Sequence, residues 1–474
     1  MMYRTCHQWM PVVMLAVAVA LCGDVATSTS HAATKGAVSA KSTAYVAGAE
    51  KLRSEGPEAL ARLLAQRDEL IARGSSAKDG AEDNRLNRQI VQLNELIDEV
   101  AGQRYACVSR LYWYTDLEKA KQAAHKSGRP ILSLRMLGNL TDEYSCANSR
   151  FFRTTLYSNQ EISQRLQDRF VLHWQSVRPV PRITIDFGDG RKIERTITGN
   201  SAHYVLAADG SPLDVLPGLY SPQKFLNWLN VAEMLHQHCA NLPPENRAAY
   251  VQNHHAARAD AVARDWARDL VAVAPELASS EQANARSRFR NASTTSTRPG
   301  QAEPEEAPPA NAAMLRAVTK SRVEMPIVLE MAGDPARLSE TTSDELWNKI
   351  AALPAHAVAL DQASISVIRQ ENPTAIEAAA RAVTKSVQVE DPVLRLISNL
   401  QNSIALDTIR NEYLLHREIH QWFAAGSVDG DAERLNERVY AEIFLTPSSD
   451  PWLGLDTPDR YTALENGGVS RATN

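Results

Sequence analysis

Apolar residues three and four positions apart mark helices near the start of this 474-residue chain and again in its later part. Leu60, Leu63, Leu64 and Leu70 share one helical face within residues 49–74. Leu86, Ile90, Leu93, Leu96 and Ile97 share another within residues 81–104, and the stretch between Gly74 and Gly80 is rich in turn formers. The pattern predicts an antiparallel helical hairpin, preceded by a small-residue, polar start at 33–48 that reads as disordered.

Between 105 and 240 the period changes. Asp116 to Lys126 reads as a helix closed by Gly128 and Pro130. The run Pro130 to Leu137 reads as a buried strand, and a helix opens near Cys146. A further helix is predicted over 159–168, and a central strand over 169–174. Alternation over Ile183 to Phe187, a turn at Gly188-Asp189-Gly190 and a return over Lys192 to Ile197 predict a hairpin. Strands at 204–207 and 213–216 and an amphipathic helix over 221–238 complete the region, with helical signal continuing to Val273. Residues 276–312 are rich in Pro, Ser, Ala and Glu and read as a flexible linker. Residues 313–474 read as a mainly helical domain, in which Arg316 to Ser321 recurs as Arg381 to Ser386 without an ordered repeat. Trp452, in the turn-rich stretch Leu445 to Leu455, is expected to anchor that stretch on the domain surface.

Composition narrows the function classes. The formal net charge is -5, 44% of residues are hydrophobic and 23% charged, as in ordinary globular proteins. No dense basic patch supports nucleic-acid binding. Arg4 and His7, the apolar run Val12 to Leu21, and Ser30-His31-Ala32 read as an export signal cleaved after Ala32. Cys22 offers a lipoprotein alternative that bulky Leu21 disfavours. The mature protein is thus expected in the periplasm or secreted, with no transmembrane segment. Of five cysteines, Cys107, Cys146 and Cys239 remain after signal removal.

The order of these elements carries a resemblance. It runs from Trp113 and the helix 116–126 through Gly128-Arg129-Pro130, the strand, and Cys146-Ala147-Asn148-Ser149. Phe170-Val171 and the segment Tyr204 to Gly210 follow, and Gly218 to Pro222 with the last helix closes it. Residues 113–229 resemble thioredoxin-like domains of exported bacterial proteins. The resemblance implies an α/β thioredoxin-like domain over 105–240, flanked by the hairpin (33–104), a helical extension (241–275), the linker and the helical C-terminal domain. It places Cys146 as the nucleophile. Ser149 stands where the family has its resolving cysteine, and Ala202 where the family has its cis-proline, with Tyr144 beside it in the substrate pocket. A non-proline cis bond costs about 3 kcal/mol, so a trans bond is expected at Ala202.

A thiolate in the first turn of a helix is stabilised by unpaired N–H groups and the helix dipole, and Ser149 is placed to donate to the sulfur. A one-cysteine site forms mixed disulfides but needs another thiol to release them. The leading expectation is a thiol-disulfide oxidoreductase or isomerase acting on exported proteins through Cys146. The alternative is a non-catalytic thioredoxin-like scaffold or protein-binding module. Cys107 is either a buried small hydrophobe, a resolving partner of Cys146, or a partner of Cys239. His236, His238 and Cys239 lack the spacing of a zinc signature. Glu412, His416 and His420 fall four residues apart on one helix face and form a weak metal candidate against the blander reading of a salt-bridged face. No cofactor motif is found.

Overall fold

The computed structural model describes residues 43–76, 79–196, 199–275, 344–373 and 392–453. The proposed signal, the linker and the recurring Arg316 and Arg381 segments lie outside the described residues. Contacts divide the chain into two compact units that part between Val100 and Ala101. The described part is mixed α/β and mainly helical, with a small mixed sheet. No helix among the described residues is long and apolar enough to cross a membrane.

In the first unit the helix expected over 49–74 is two helices, α1 (Thr43–Ser54) and α2 (Pro57–Gly74). Gly56 at φ 81 and Pro57 in the first turn of α2 impose the break. α3 (Gly80–Ala101) follows. Leu60, Leu63 and Leu64 of α2 and Leu86, Leu93 and Ile97 of α3 are buried, as their spacing requires. Arg67 Nε donates to Asn94 Oδ1 at 2.7 Å, linking the two helices.

The second unit is built on a four-stranded sheet in the order β2-β1-β5-β6. Its strands are β1 (Ile131–Leu137), β2 (Val171–Arg178), β5 (Ser201–Leu206) and β6 (Pro212–Pro217). β1 runs parallel to β2, while β5 is antiparallel to both β1 and β6. Every residue of β1 is buried, as a central strand covered on both faces requires. Its two polar residues find partners within the sheet and beyond it. Ser133 Oγ lies 2.8 Å from His173 Nδ1, and Arg135 bonds Gln175 and pairs with Glu433 at 2.7 Å. β3 (Arg182–Asp186) and β4 (Lys192–Thr196) form the expected hairpin as a separate two-stranded sheet.

Four helices accompany the sheet: α4 (Leu117–Ser127), α5 (Ala147–Phe151), α6 (Gln160–Arg169) and α7 (Pro222–Asn241). α5 runs into a π-helical turn, Phe152–Leu156. Asp116 caps α4 by accepting from the N–H groups of Glu118 and Lys119, and Gly128 at φ 68 ends it. Asp116→Ala should therefore lower stability by about 1 kcal/mol in urea unfolding.

The later helices are α8 (Pro244–Val273), α9 (Asp344–Ala351), α10 (Gln362–Glu371), α11 (Pro392–Arg410), α12 (Arg417–Ala424) and α13 (Ala432–Arg438). π-helical segments at Asn411–His416 and Val439–Ile443 follow α11 and α13. Several of these helices share the core of the sheet. Ile404, Leu415, Ile419, Phe423, Leu435 and Tyr440 join the same buried cluster as Leu134, Val205 and Phe225. Tyr204 Oη donates to Asn436 Oδ1 at 3.1 Å, on the sheet face where Arg135 meets Glu433. A second core gathers Val262, Trp347, Ile409 and Tyr413. Beside it, Asp269 accepts from Tyr413 Oη and lies 2.6 Å from His356 Nε2.

One close approach fixes the junction after β6. Gly218 sits at φ 80, and a Cβ there would lie 2.5 Å from Asn411 Nδ2. That amide donates to the Leu219 carbonyl at 2.8 Å, and Ser221 N–H donates to Thr408 Oγ1 at 2.8 Å. The expected surface anchor Trp452 is 43% exposed; its neighbour Leu453 is the residue buried in the core.

Candidate functional site

Cys146 is the N-cap of α5, directly after the loop that follows β1, and its side chain makes no capping bond. It is fully buried. Around it the loop is fastened by polar contacts. Arg153, itself buried, donates to the carbonyls of Leu140 and Asp142 at 2.9 and 2.6 Å. Ser149 Oγ contacts Ser145 Oγ and the Cys146 carbonyl oxygen, both at 2.8 Å. The serine expected to serve the sulfur thus serves the loop instead, because a hydroxyl one turn into a helix reaches the carbonyl three residues back.

Ala202 lies in β5 opposite Arg135 and is fully buried. No described peptide bond is cis. The segment before Ala202 is held by residues beyond α13. Tyr440 Oη donates to the Asn200 carbonyl at 3.1 Å, and Asn200 Nδ2 donates to Thr446 Oγ1 at 2.8 Å. Arg178 donates to the carbonyls of Thr446 and Asp450 at 2.6 and 2.9 Å. Cys146 lies close enough to Tyr157 and Tyr440 that it adds to burial in pushing both phenols well above their usual range. Tyr144 is half-buried under the Arg182 guanidinium, 4.8 Å from its ring centre, and so faces the β3–β4 hairpin. Cys107 sits on a one-turn helix, Ala106–Ser109, and is half-buried. Cys107, Cys146 and Cys239 form no disulfide with one another.

A second group of chemically capable side chains assembles where α8, α12 and the Asn411–His416 segment meet β6. Of the predicted stripe, Glu412 and His416 bind each other: His416 Nδ1 lies 3.2 Å from Glu412 Oε2. His416 Nε2 lies 3.4 Å from Asp214 Oδ1, and Trp228 Nε1 donates to Asp214 Oδ2 at 2.9 Å. Burial opposes charge on His416, but its bonds to Asp214 and Glu412 raise it to about 9. Burial would likewise raise both carboxyls, and the His416 contact holds them below the usual carboxylate range.

His420 turns instead toward His255 of α8, with 2.8 Å between the two Nδ1 atoms. His255 Nε2 lies 2.8 Å from the Leu213 carbonyl oxygen, and its ring stacks on Phe423 at 4.2 Å. Burial lowers both histidines, and the nearby His416 charge pushes His420 well down. The stripe pattern contained His420 but gave no hint of His255 or Asp214. The one available signal was an aspartate inside the apolar run Leu213 to Leu216. His236 and Cys239 are buried in α7, whereas His238 is exposed and bonds the Met234 carbonyl, so the three do not converge. Cys239 instead lines a cavity of about 500 Å³ with Asp209, Arg247 and Phe423, and burial pushes its thiol up.

Comparison with family models, with curated proteins and with solved structures finds no match for this chain.

Proposed function

We propose that this chain is a thioredoxin-like protein of the non-catalytic kind, an α/β module serving as a packing and docking scaffold rather than as a thiol oxidoreductase. The likeness is supported by the succession of strand, cysteine-capped helix, strand, antiparallel pair and closing helix around the sheet β2-β1-β5-β6. The observation that carries the scaffold reading is the burial of the thiol position. Cys146 and Ala202 have no exposed surface, and the segment at Asn200 is bonded to Tyr440 and Thr446. A substrate disulfide needs a sulfur it can reach in line, and here the chain's own later residues occupy that approach. Ser149 is engaged within the loop and supplies no resolving thiol.

Alkylation of the native, reduced protein tests this. Cys146 should react at least about 100-fold more slowly than after unfolding in urea, because modification has to wait for local opening. Mass mapping of each cysteine gives the rates. Rapid native alkylation of Cys146, lost in Cys146→Ser, would overturn the scaffold reading and return the one-cysteine oxidoreductase to the front.

A further inference from the structure

We propose that Asp214, His255 and His420 form a binding site for one transition-metal dication of the zinc class, which pins α8 and α12 to β6. The ligand atoms of these three buried residues all lie within 4.8 Å of one another, and they come from three elements far apart in sequence.

Hydrogen bonding fixes the tautomers. The Leu213 carbonyl only accepts, so His255 Nε2 carries its proton. The neutral ring therefore turns its Nδ1 lone pair toward His420. Without metal, His420 Nδ1–H must donate across the 2.8 Å gap, which leaves His420 Nε2 as a buried lone pair with no partner. An unpartnered polar atom in a buried site is costly. A cation ligated by both imidazoles removes the need for that shared proton, since each ring then offers a lone pair to the metal.

The surroundings suit a metal site in three further respects. A ligating histidine characteristically donates its second N–H to a carbonyl or carboxylate, as His255 does to Leu213. Trp228 orients the Asp214 carboxylate in the same outer role. Glu412, with 13% of its side chain exposed, is the member that reaches solvent and offers a path of entry. Two imidazoles and one carboxylate favour zinc, cobalt, nickel or copper over magnesium or calcium, which take oxygen ligands. The proposal is independent of what Cys146 does.

The test uses the full chain after chelator treatment, titrated with Co²⁺ and with Zn²⁺. One equivalent of Co²⁺ should give visible d–d bands that Zn²⁺ abolishes, and Zn²⁺ should raise the thermal midpoint. His420→Gln and Asp214→Asn should weaken binding by at least about 100-fold, and Trp228→Phe by about 10-fold. His238→Gln, on the exposed side of α7, should bind as the wild type does. Absence of bands and of retained metal in the wild-type chain would overturn the proposal without reference to any variant. Undiminished binding by a folded His420→Gln or Asp214→Asn chain would overturn it equally.

Discussion

Between pH 7 and pH 4 the sheet-bearing unit should lose roughly 6 kcal/mol of stability, from two buried histidines that cannot accept protons while folded. Burial holds His203 at about 3. Burial, and after it the Arg135 charge, hold His173 at about 3, against a smaller opposing effect of Asp116. In the unfolded chain both rings protonate near pH 6.5. A group whose folded value lies below its unfolded value stabilises fully above the unfolded value and less at each step below it. The loss therefore begins near pH 6.5 and continues to about 3, at about 1.4 kcal/mol per pH unit per histidine.

His254, held at about 4 chiefly by burial, adds to the same trend. Carboxylates such as Asp269 contribute mainly below pH 4. There, burial would favour the neutral acid, but the bonds from Tyr413 and His356 hold the carboxyl below its usual range. Urea unfolding at intervals from pH 7 to pH 4 measures the slope. His203 packs among Phe152, Phe225 and Trp228 and meets Tyr157 Oη at 2.7 Å. His203→Phe keeps the aromatic packing and should remove roughly 3 kcal/mol of the pH 4 loss. An unchanged slope in that variant would rule out His203 as a source.

Gly218→Ala should cost about 2 to 4 kcal/mol. One part is backbone strain: φ 80 is a left-handed conformation that disfavours a Cβ by about 1–2 kcal/mol. The other is steric. The new methyl would sit 2.5 Å from Asn411 Nδ2, and pushing that amide away breaks its bond to the Leu219 carbonyl. The two parts separate in a double-mutant cycle. In an Asn411→Ala background the same glycine change should cost only the backbone part, and a cycle with no coupling energy would refute the contact as the cause.

The α/β succession was legible because its signals are local. Asp116 and Gly128 bracket a helix by cap chemistry, and β1 advertises itself as an unbroken apolar run. The hairpin at 182–196 follows from the alternation of Ile183, Ile185 and Phe187 into a turn with two glycines. The break at Gly56-Pro57 was equally local but was masked by the apolar face that continues across it. What stayed hidden was long-range. Nothing near Arg135 says that Glu433 will neutralise it, and nothing near Asn200 says that Tyr440 will bond it. The candidate site divided along the same line. Cys146 was found as the cap of its helix, but its burial depends on residues far along the chain. The Glu412, His416 and His420 stripe assumed regular α-helical spacing and ignored cross-chain partners. His420 faces a histidine 165 positions earlier, which no helical period reveals.

The covering of Cys146 also has a schedule. Tyr440 and Thr446, which hold the segment beside Ala202, are made about 300 residues after the cysteine. At a synthesis rate of 5–20 residues per second that is roughly 15 to 60 seconds. During that interval the strand, the loop and the thiol exist without their cover. Until the later helices are made, the segment beside Ala202 lacks the bonds that hold it in the finished fold.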